Sequence, residues 1–247
     1  MSRFDPILPA SGDGPTKDTP LALRRKMRTH SLRMPASDAP AFPRSGADRR
    51  GLKIGLMGGS FNPAHDGHLH VAKLALSHLD LDEVWWLVSP QNPLKSRDDM
   101  TPFGERFASA TKAAKHPRVK VKDLEQHLAT HFTADTLVEL KRRGKSNRYV
   151  WIMGADNLIS FHKWERASLI LHTCAVAVFD RPTYSLRALA SRLVRRFARH
   201  RVSQRAAHGL ANRRPPAWVF LHTRRHNASA TLIRQARQQG SGTEGQR

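Results

Sequence analysis

Apolar residues between positions 51 and 239 fall into short continuous runs, and the segments between these runs place apolar residues at helical spacing. The runs are rich in β-branched and aromatic side chains and predict buried strands. The predicted strands cover 53–59, 83–90, 119–124, 149–156, 175–181 and 217–222. The predicted helices cover 67–79, 103–115, 133–144, 164–171 and 229–238. Because strands that alternate with helices form a parallel sheet covered on both faces, we predict one doubly wound α/β domain that binds ligands at the carboxyl ends of its strands.

The two ends of the chain lack this pattern. Residues 1–50 are rich in proline, serine and arginine without periodicity, so they cannot bury enough apolar surface to offset the entropy of ordering. We predict a basic, disordered extension there, a domain at 51–239 and a flexible tail at 240–247. Acidic residues in the extension disfavour a mitochondrial transit peptide, because such peptides avoid acids.

Composition indicates a cytoplasmic protein. The single cysteine, Cys174, excludes an internal disulfide, and the apolar run AVAVF that follows it predicts a buried thiol. No apolar run reaches the roughly 18–20 residues that cross a bilayer, and the N-terminus lacks the apolar core of a secretory signal. We therefore expect no membrane association, while the sequence leaves a homo-oligomer open.

The net charge of +22 attracts nucleic acid and phosphorylated metabolites alike. Part of it lies in residues 181–214, which contain no acidic residue. Four apolar residues recur there at helical spacing, namely Leu186, Leu189, Leu193 and Phe197. This spacing predicts a basic amphipathic surface helix with a flexible end. A nucleic-acid-binding protein is the alternative class, but the aromatic residues are not interleaved with the arginines to stack bases, so we expect non-specific binding at most.

The stretch GGSFNPAHDGHLH at 58–70 joins a predicted strand to a predicted helix. Gly58 and Gly59 allow the backbone to approach a ligand closely, and the unpaired N–H groups of a helix N-terminus favour phosphate. His65 and His68 lie three residues apart at the helix entrance, where both imidazoles can donate hydrogen bonds to phosphate oxygens. The stretch therefore predicts a phosphate-handling site.

Other binding motifs fit this stretch less well. The lysine P-loop needs Gly-Lys-Ser/Thr, and the dinucleotide fingerprint needs spaced glycines, whereas the two glycines here are adjacent. Zinc ligation by His65, His68 and His70 is the weaker alternative, because only Asp66 stands nearby to complete a ligand set. We therefore predict no metal site built by the protein alone and a structural role for His70.

GGSFNPAHDGH resembles the G-x-F-x-P-x-H-x-G-H signature of the nucleotidyltransferase superfamily. Over about residues 51–239 the chain is similar to bacterial nicotinate-nucleotide adenylyltransferases, which join ATP and nicotinate mononucleotide into the deamido dinucleotide and release pyrophosphate. The resemblance implies a Rossmann-like nucleotidyltransferase fold and a transferase of NAD biosynthesis. It also implies that ATP binds at Gly58, Gly59, Ser60, Phe61, His65 and His68, and that Asn62 contacts the mononucleotide.

Two further segments resemble the same family. PQNPLK at 90–95 ends in Lys95, which the resemblance places beside the triphosphate, so that Lys95 joins His65 and His68 as a predicted catalytic residue. HFTADTL at 131–137 resembles the family's aromatic-Thr-x-x-Thr segment, which implies that Thr133 and Thr136 hold the phosphate of the mononucleotide.

The remaining matches lie towards the C-terminus. In IMGADNLISFHKW at 152–164, the resemblance makes Asp156 an acceptor for ATP hydroxyl or amine groups and gives Trp164 a face on which the nicotinate ring stacks. NASATLIRQ at 227–235 resembles the family's S-S/A-T-x-I-R signature. This match implies that three residues bind the ATP phosphates, namely Ser229, Thr231 and Arg234.

The chemistry implied by the resemblance is adenylyl transfer without a dedicated general base, because the mononucleotide phosphate is already an anionic nucleophile. Mg²⁺ is the expected cofactor and would bridge ATP oxygens. Sister adenylyltransferases that use nicotinamide mononucleotide or phosphopantetheine are the competing assignments. The acid and amide mononucleotides differ by one group, so the sequence leaves this preference open.

Overall fold

Seven strands form one sheet in the computed structural model, which describes residues 51–90, 100–181 and 184–223. The strands are β1 Lys53–Gly59, β2 Glu83–Val88, β3 Val119–Lys122, β4 Arg148–Gly154, β5 Ala175–Phe179, β6 Arg201–Val202 and β7 Trp218–Leu221. Neighbouring strands follow the order β3-β2-β1-β4-β5-β7-β6, and all of these pairs are parallel. The predicted doubly wound α/β fold is confirmed.

Helices connect the strands. The α-helices are α1 Asp66–His78, α2 Phe103–Ala113, α3 Leu124–His127, α4 Thr133–Arg143, α5 Ala155–Ser160, α6 Ala167–Thr173, α7 Ser185–Leu189 and α8 Arg192–Arg196. Short 3-10 helices cover Phe161–Lys163, Ala198–His200 and Gln204–Asn212. Helices were predicted at four of these places, corresponding to α1, α2, α4 and α6, while the helix predicted at 229–238 lies outside the described residues. Nowhere in the described ranges is a helix both long and apolar enough to cross a membrane.

The strand side chains alternate between two apolar layers, one on each face of the sheet. Trp85 and Trp151 belong to the layer that includes residues of α4 and α6. Trp86 and Ile152, their immediate neighbours in sequence, belong to the layer that includes residues of α1. Since both faces of the sheet are covered, β1, β2, β4, β5 and β7 contain continuous apolar runs, which is why the sequence predicts their positions well, whereas the edge strands β3 and β6 alternate or are too short.

The strand order reverses at β1, with β2 and β3 on one side and β4 on the other. The β1–β4 pairing runs from Lys53 and Arg148 to Leu56 and Trp151. Beyond that point β1 continues alongside β2 to Gly59, and β4 continues alongside β5. The two central strands therefore part at their carboxyl ends, where a reversal of strand order creates the usual ligand crevice of this fold class.

The described part of the basic segment 181–214 differs from its prediction. Instead of one amphipathic helix it forms the short helices α7 and α8, followed by the edge strand β6 and a 3-10 helix. Leu193 and Phe197 are buried, but Leu186 is 86% exposed. Ser191 adopts an extended conformation between the two helices and interrupts the helical spacing. The expected flexible end instead pairs with β7 through Arg201–Val202.

The strand predicted at 149–156 ends earlier than expected. β4 ends at Gly154, and α5 begins at Ala155. Asp156 therefore lies in the first turn of a helix at the carboxyl end of a central strand, rather than within the strand.

Cys174 lies between α6 and β5 and is buried, as predicted. Burial raises the pKa of its thiol to about 12. The thiol is therefore protonated and unreactive at neutral pH, which leaves Cys174 a structural part of the core. The predicted extension at 1–50 and tail at 240–247 lie outside the described residues.

Candidate active site

The turn after β1 carries the first group of predicted site residues. Gly58 and Gly59 end the strand, Ser60 and Phe61 follow, and a cis peptide bond joins Asn62 to Pro63. Ser60 is buried, and the turn leads into α1 at Asp66. The structure thus places these residues at the carboxyl end of β1, beside the crevice between β1 and β4.

His65 and His68 cap the N-terminus of α1 reciprocally. The Nδ1 atom of His65 accepts a hydrogen bond from the backbone N–H of Gly67 at 3.1 Å. The Nδ1 atom of His68 accepts one from the backbone N–H of His65 at 3.2 Å. This arrangement is a capping box in which two imidazoles replace the usual hydroxyl and carboxylate.

The reciprocal cap fixes the tautomer of both histidines. A backbone N–H can only donate, so each Nδ1 atom must be an unprotonated acceptor. In the neutral ring the proton then resides on Nε2, and each imidazole carries an N–H donor at the atom farthest from the backbone. The ring centroids of His65 and His68 lie 3.9 Å apart. The cap therefore holds two N–H donors side by side at a helix N-terminus.

Phe61 supports this pair from the turn. Its φ of 47° lies in the left-handed region, which a bulky residue rarely occupies. Its buried ring stacks on Trp86 at a centroid distance of 5.2 Å and contacts the ring of His68 at 4.9 Å. Packing against the core thus offsets the strain, and strained backbone of this kind clusters at functional sites.

The two glycines of the turn have different structural requirements. A Cβ atom on Gly58 would lie 2.4 Å from the ring of Trp151, whereas one on Gly59 would meet the Phe61 ring at 3.4 Å, which is ordinary contact. The fold therefore requires glycine at position 58 and does not require it at position 59. A glycine that the fold does not need is consistent with close approach of a ligand to the backbone.

We expect Gly58→Ala to lower the free energy of unfolding by about 1–3 kcal/mol, because the added methyl group overpacks the Trp151 ring. Gly59→Ala is expected to unfold like the native protein but to bind more weakly the Mg-ATP that the resemblance in sequence places at this turn. Urea denaturation and titration calorimetry measure the two effects. Native affinity for Mg-ATP in the Gly59→Ala variant would contradict close approach of the phosphates to this residue.

Arg106 contacts the turn that carries predicted site residues in a way that the sequence does not reveal. It lies on α2 with 2% of its surface exposed, and its guanidinium donates to carbonyl oxygens at the ends of two strands. Nη1 donates to Ser60 at 2.7 Å and to Ser89 at 2.8 Å, and Nη2 donates to Pro90 at 2.8 Å. In the sequence, Arg106 looks like any polar residue of an amphipathic helix, so no signal marks its burial.

The predicted phosphate segment at 131–137 lies at the start of α4. Thr133 is the first helical residue, after Phe132, which provides no side-chain cap. The hydroxyl of Thr136 is buried, contacts the hydroxyl of Thr130 at 2.8 Å and donates to the carbonyl of Phe132 at 3.2 Å. The geometry thus gives Thr136 a part in shaping the helix N-terminus, while the helix amides and Thr133 are suited to an anion.

Asp156 and Arg181 form an ion pair across the carboxyl ends of β4 and β5. Oδ2 of Asp156 lies 3.3 Å from Nη1 of Arg181. Oδ1 is buried and has no hydrogen-bond partner among the described residues. A Cβ atom on Gly154 would lie 2.4 Å from this Oδ1 atom, so the glycine makes room for the carboxylate. A buried carboxylate oxygen without a partner is suited to accept a ligand hydroxyl or amine.

Arg181 is the second residue missing from the predicted site. It lies two residues after the end of β5, and the sequence places it at the end of the predicted strand 175–181. Position alone could therefore have marked it, because ligands of this fold class bind at strand ends. The ion pair with Asp156 could not be foreseen, since the two residues are 25 positions apart in sequence.

Trp164 packs edge-on against two core rings. Its centroid lies 5.0 Å from that of Phe161 and 6.2 Å from that of Trp151, both in T-shaped arrangements. The side chain is only partly buried. Trp164 is therefore partly a core anchor, and its role as a stacking surface for a pyridine ring stays a prediction.

The topology brings the described site residues to one edge of the sheet. The turn 60–65 follows β1, Asp156 follows β4 and Arg181 follows β5. Four predicted site residues, namely Lys95, Ser229, Thr231 and Arg234, lie outside the described residues. No group of three or more histidine, cysteine, aspartate or glutamate residues suited to a metal ion occurs in the described part of the chain.

Comparison with known proteins identifies the class that this fold and site define. A family model described as cytidylyltransferase-like matches residues 56–236, from β1 to beyond β7. The chain therefore belongs to the cytidylyltransferase-like family.

Closer relatives narrow the assignment. A protein of Rhizobium meliloti, named probable nicotinate-nucleotide adenylyltransferase, is 47% identical over 186 residues, which cover 75% of this chain and 99% of the relative. A protein of the same name from Methylorubrum extorquens is 49% identical over 183 residues, covering 74% of this chain and 99% of the relative. Within its family, the chain belongs to the nicotinate-nucleotide adenylyltransferases.

A solved structure shares the fold. The nicotinic acid mononucleotide adenylyltransferase of Plasmodium falciparum, complexed with NaAD, aligns with a TM-score of 0.54 and 17% identity. The alignment covers 74% of this chain and 83% of that chain. It supports the Rossmann-like nucleotidyltransferase fold predicted from the sequence.

Proposed function

We propose that this protein transfers the adenylyl group of ATP to nicotinate mononucleotide, forming the deamido dinucleotide of NAD biosynthesis and releasing pyrophosphate. The observation that carries the proposal is 47% identity over 99% of a relative that is named for this activity. The paired imidazoles at the N-terminus of α1 provide independent support, because they offer fixed N–H donors where a phosphate binds.

The reaction needs positioning and charge stabilisation more than proton transfer. An oxygen of the mononucleotide phosphate attacks the α-phosphorus of ATP, and the bond from that phosphorus to the oxygen bridging to the β-phosphorus breaks. Pyrophosphate leaves with the electron pair of that bond. Because the nucleophile is already anionic, the protein must hold two anions together and stabilise the charge that builds on the transferred group.

His65 and His68 are suited to this task in their observed tautomer. Each Nδ1 atom accepts a backbone hydrogen bond, so the Nε2–H groups are the donors that can meet phosphate oxygens. The partial positive charge at the helix N-terminus acts in the same direction. We assign His68 to the α-phosphoryl group in the transition state and His65 to the triphosphate.

The remaining predicted residues keep their assigned roles in this proposal. Gly59 and Ser60 line the ATP phosphates, and the Oδ1 atom of Asp156, which has no partner among the described residues, accepts from a hydroxyl or amine of ATP. Four residues outside the described ranges complete the set: Lys95 and Arg234 neutralise the triphosphate, and Ser229 and Thr231 hydrogen-bond to it.

On the acceptor side, Asn62, Thr133 and Thr136 bind the mononucleotide, and Trp164 stacks on its ring. Thr136 would act indirectly, because its hydroxyl already contacts Thr130 and the carbonyl of Phe132.

Mg²⁺ enters as part of the ATP complex in this proposal. The ion prefers oxygen ligands in octahedral geometry and is commonly held by substrate phosphates and water. It would supply further charge neutralisation at the phosphates. The Nδ1 atoms of His65 and His68 are occupied by the helix cap, which fits a role as donors to phosphate better than a role as ligands of a resident metal.

Pyrophosphate release by the full chain with Mg-ATP tests the proposal. Nicotinate mononucleotide, nicotinamide mononucleotide and phosphopantetheine are supplied in parallel, and mass spectrometry identifies the product. We expect turnover with nicotinate mononucleotide and a deamido dinucleotide of the corresponding mass. Preference for either other acceptor would assign a sister reaction, and absence of turnover with all three would refute adenylyl transfer to these acceptors.

A further inference from the structure

The guanidinium of Arg106 joins three parts of the structure. Nη1 and Nη2 bind the carbonyl oxygens of Ser60, after β1, and of Ser89 and Pro90, after β2. Nε donates to the carbonyl of Thr101, just before α2, at 2.8 Å. The side chain therefore ties the turn after β1 to the end of β2 and to the helix that carries it.

The carbonyl groups at these strand ends pose an electrostatic problem for an anion site. Carbonyl oxygens carry partial negative charge, so unpaired oxygens at the edge where phosphate binds would repel it. The oxygen of Gly59 accepts from the backbone N–H of Ser89 at 2.9 Å. Arg106 occupies the oxygens of Ser60, Ser89 and Pro90, so these carbonyls face a cation.

The charge of Arg106 is not neutralised by a carboxylate in the described part of the chain. Its polar contacts there are backbone carbonyls, and the guanidinium also lies 5.5 Å from the centroid of the Phe103 ring. Burial lowers the pKa of the guanidinium, but arginine stays protonated in proteins. Among the described residues, the guanidinium is therefore a buried cation without a carboxylate partner, directly behind the turn that contains Gly59 and Ser60.

We propose that Arg106 is a positioning residue of the ATP site, which fixes the turn after β1 and supplies a buried positive charge behind it. The inference deepens the proposed function, since it assigns a residue to the ATP half of that site. Arg106 acts through the backbone of Ser60, and no contact between its own side chain and ATP is required.

Lysine cannot replace this side chain. Four carbonyl contacts use the planar fork of the guanidinium, whereas an ammonium group offers three donors in a tetrahedral arrangement. Arg106→Lys therefore keeps the charge but loses the geometry, and Arg106→Gln loses the charge while keeping an amide donor. Because the proposal requires both the charge and the fork geometry of Arg106, both variants should weaken the binding of Mg-ATP.

The test measures the dissociation constant for Mg-ATP by titration calorimetry with the full-length chain, together with KM for nicotinate mononucleotide. We expect Arg106→Lys to weaken Mg-ATP binding about tenfold and Arg106→Gln to weaken it further, because charge-assisted hydrogen bonds are lost. KM for the mononucleotide should change less than the dissociation constant for Mg-ATP, since the guanidinium holds Ser60 itself, whereas Asn62 lies two residues further along the turn. A general loss of stability would weaken the binding of both substrates alike, so a larger effect on Mg-ATP distinguishes positioning from destabilisation.

Arg118 provides the matched control. It also donates to a backbone carbonyl, that of Leu81 at 3.2 Å, but it lies at the amino ends of β2 and β3. Arg118→Gln should bind Mg-ATP like the native protein.

Measurements are made below the unfolding temperature of each variant, and if Arg106→Gln does not fold, Arg106→Lys decides the question. Mg-ATP affinity within twofold of native in a folded Arg106 variant would overturn the proposal, as would equal weakening for both substrates. If the native chain binds Mg-ATP but transfers nothing to nicotinate mononucleotide, the proposed reaction fails and the Arg106 binding test still stands.

Discussion

Replacement of His68 by alanine is expected to lower kcat for dinucleotide formation about 10²–10³-fold, which is the usual cost of removing one fixed donor from a developing anion. The expectation follows from the reciprocal cap, because the hydrogen bond from the His65 backbone holds the His68 ring with its proton on Nε2. Steady-state kinetics at saturating Mg-ATP and nicotinate mononucleotide measure the effect.

The effect of losing the helix cap must be distinguished from the effect of losing the Nε2–H donor. His68→Ala also removes an acceptor at the N-terminus of α1, which costs about 1 kcal/mol of stability. Asparagine can place its amide oxygen near the position of Nδ1 and keep this acceptor, but it does not reach the position of Nε2. His68→Asn should therefore recover stability without recovering turnover.

A second control lies at the other end of the same helix. His78 is exposed in the last turn of α1, and His78→Ala is expected to leave kcat within about twofold of native, as surface substitutions away from the site usually do. If His68→Asn turned over substrate at the native rate, the role of His68 would lie in the cap and not in transition-state stabilisation.

The turn between β1 and α1 could be predicted from the sequence because its parts are local. Glycines, an Asn-Pro pair and two histidines within one short stretch place the turn and the helix entrance. The mode of capping could not be foreseen, since histidine is not a usual N-cap residue and the cap depends on ring orientation. The sequence thus predicted which residues meet, and the structure supplied the tautomer that makes them donors.

Long-range contacts account for the missing parts of the site. Arg106 reaches the end of β1 across 46 positions of sequence, and Arg181 reaches Asp156 across 25. An arginine on an amphipathic helix is ordinarily a solvated residue, so only the folded structure separates Arg106 from the many arginines on the surface.

In the basic segment 181–214, the helical spacing of apolar residues did not predict the observed structure. Its prediction as one helix rested on four apolar residues at helical spacing, but helical spacing indicates a helix only where the backbone is continuous. β6 is two residues long, too short to show alternation, and is supported by tertiary contacts instead. The indole N–H of Trp218 donates to the carbonyl of Phe197 at 2.8 Å, and Arg201 lies over the same indole ring at 5.3 Å.

Glu125 contacts the residue after β2 that Arg106 also contacts. Its side chain is buried in α3 and hydrogen-bonds with the side chain of Ser89, whose carbonyl binds Arg106. Burial raises the pKa of the Glu125 carboxyl to about 7, and the hydrogen bond with Ser89 lowers it in part. Among the described residues no charged group contributes to this shift, and desolvation of the carboxylate is its largest cause.

The raised pKa predicts that Glu125 makes the protein less stable as pH rises. The ordinary value is 4.5, so between about pH 4.5 and pH 7 the folded state binds this proton more tightly than the unfolded state. The stability that this tighter proton binding contributes is fully present below the Glu125 pKa of the unfolded state. It is lost as the pH rises through the Glu125 pKa of the folded state. A shift of this size corresponds to about 3 kcal/mol, which is lost by about pH 8.

Glu125→Gln should remove this loss, because the neutral amide keeps nearly the same shape and can still hydrogen-bond with Ser89. We expect the variant and the native protein to unfold with similar free energies at pH 4.5, and the variant to be more stable by about 2–3 kcal/mol at pH 8.5. Urea denaturation at the two pH values measures the difference. Taking the difference between two proteins cancels the contribution of every other group that titrates.

Glu105 on α2 is the matched control, since it is exposed to solvent. Glu105→Gln changes the net charge by the same amount but removes no carboxylate from the interior, so it should not reproduce the gain at pH 8.5. A constant difference between Glu125→Gln and the native protein across the pH range would mean that Glu125 ionises in the folded protein as it does in water. The desolvation of its carboxylate would then be relieved by solvent, and the buried contact with Ser89 would have to open as the proton leaves.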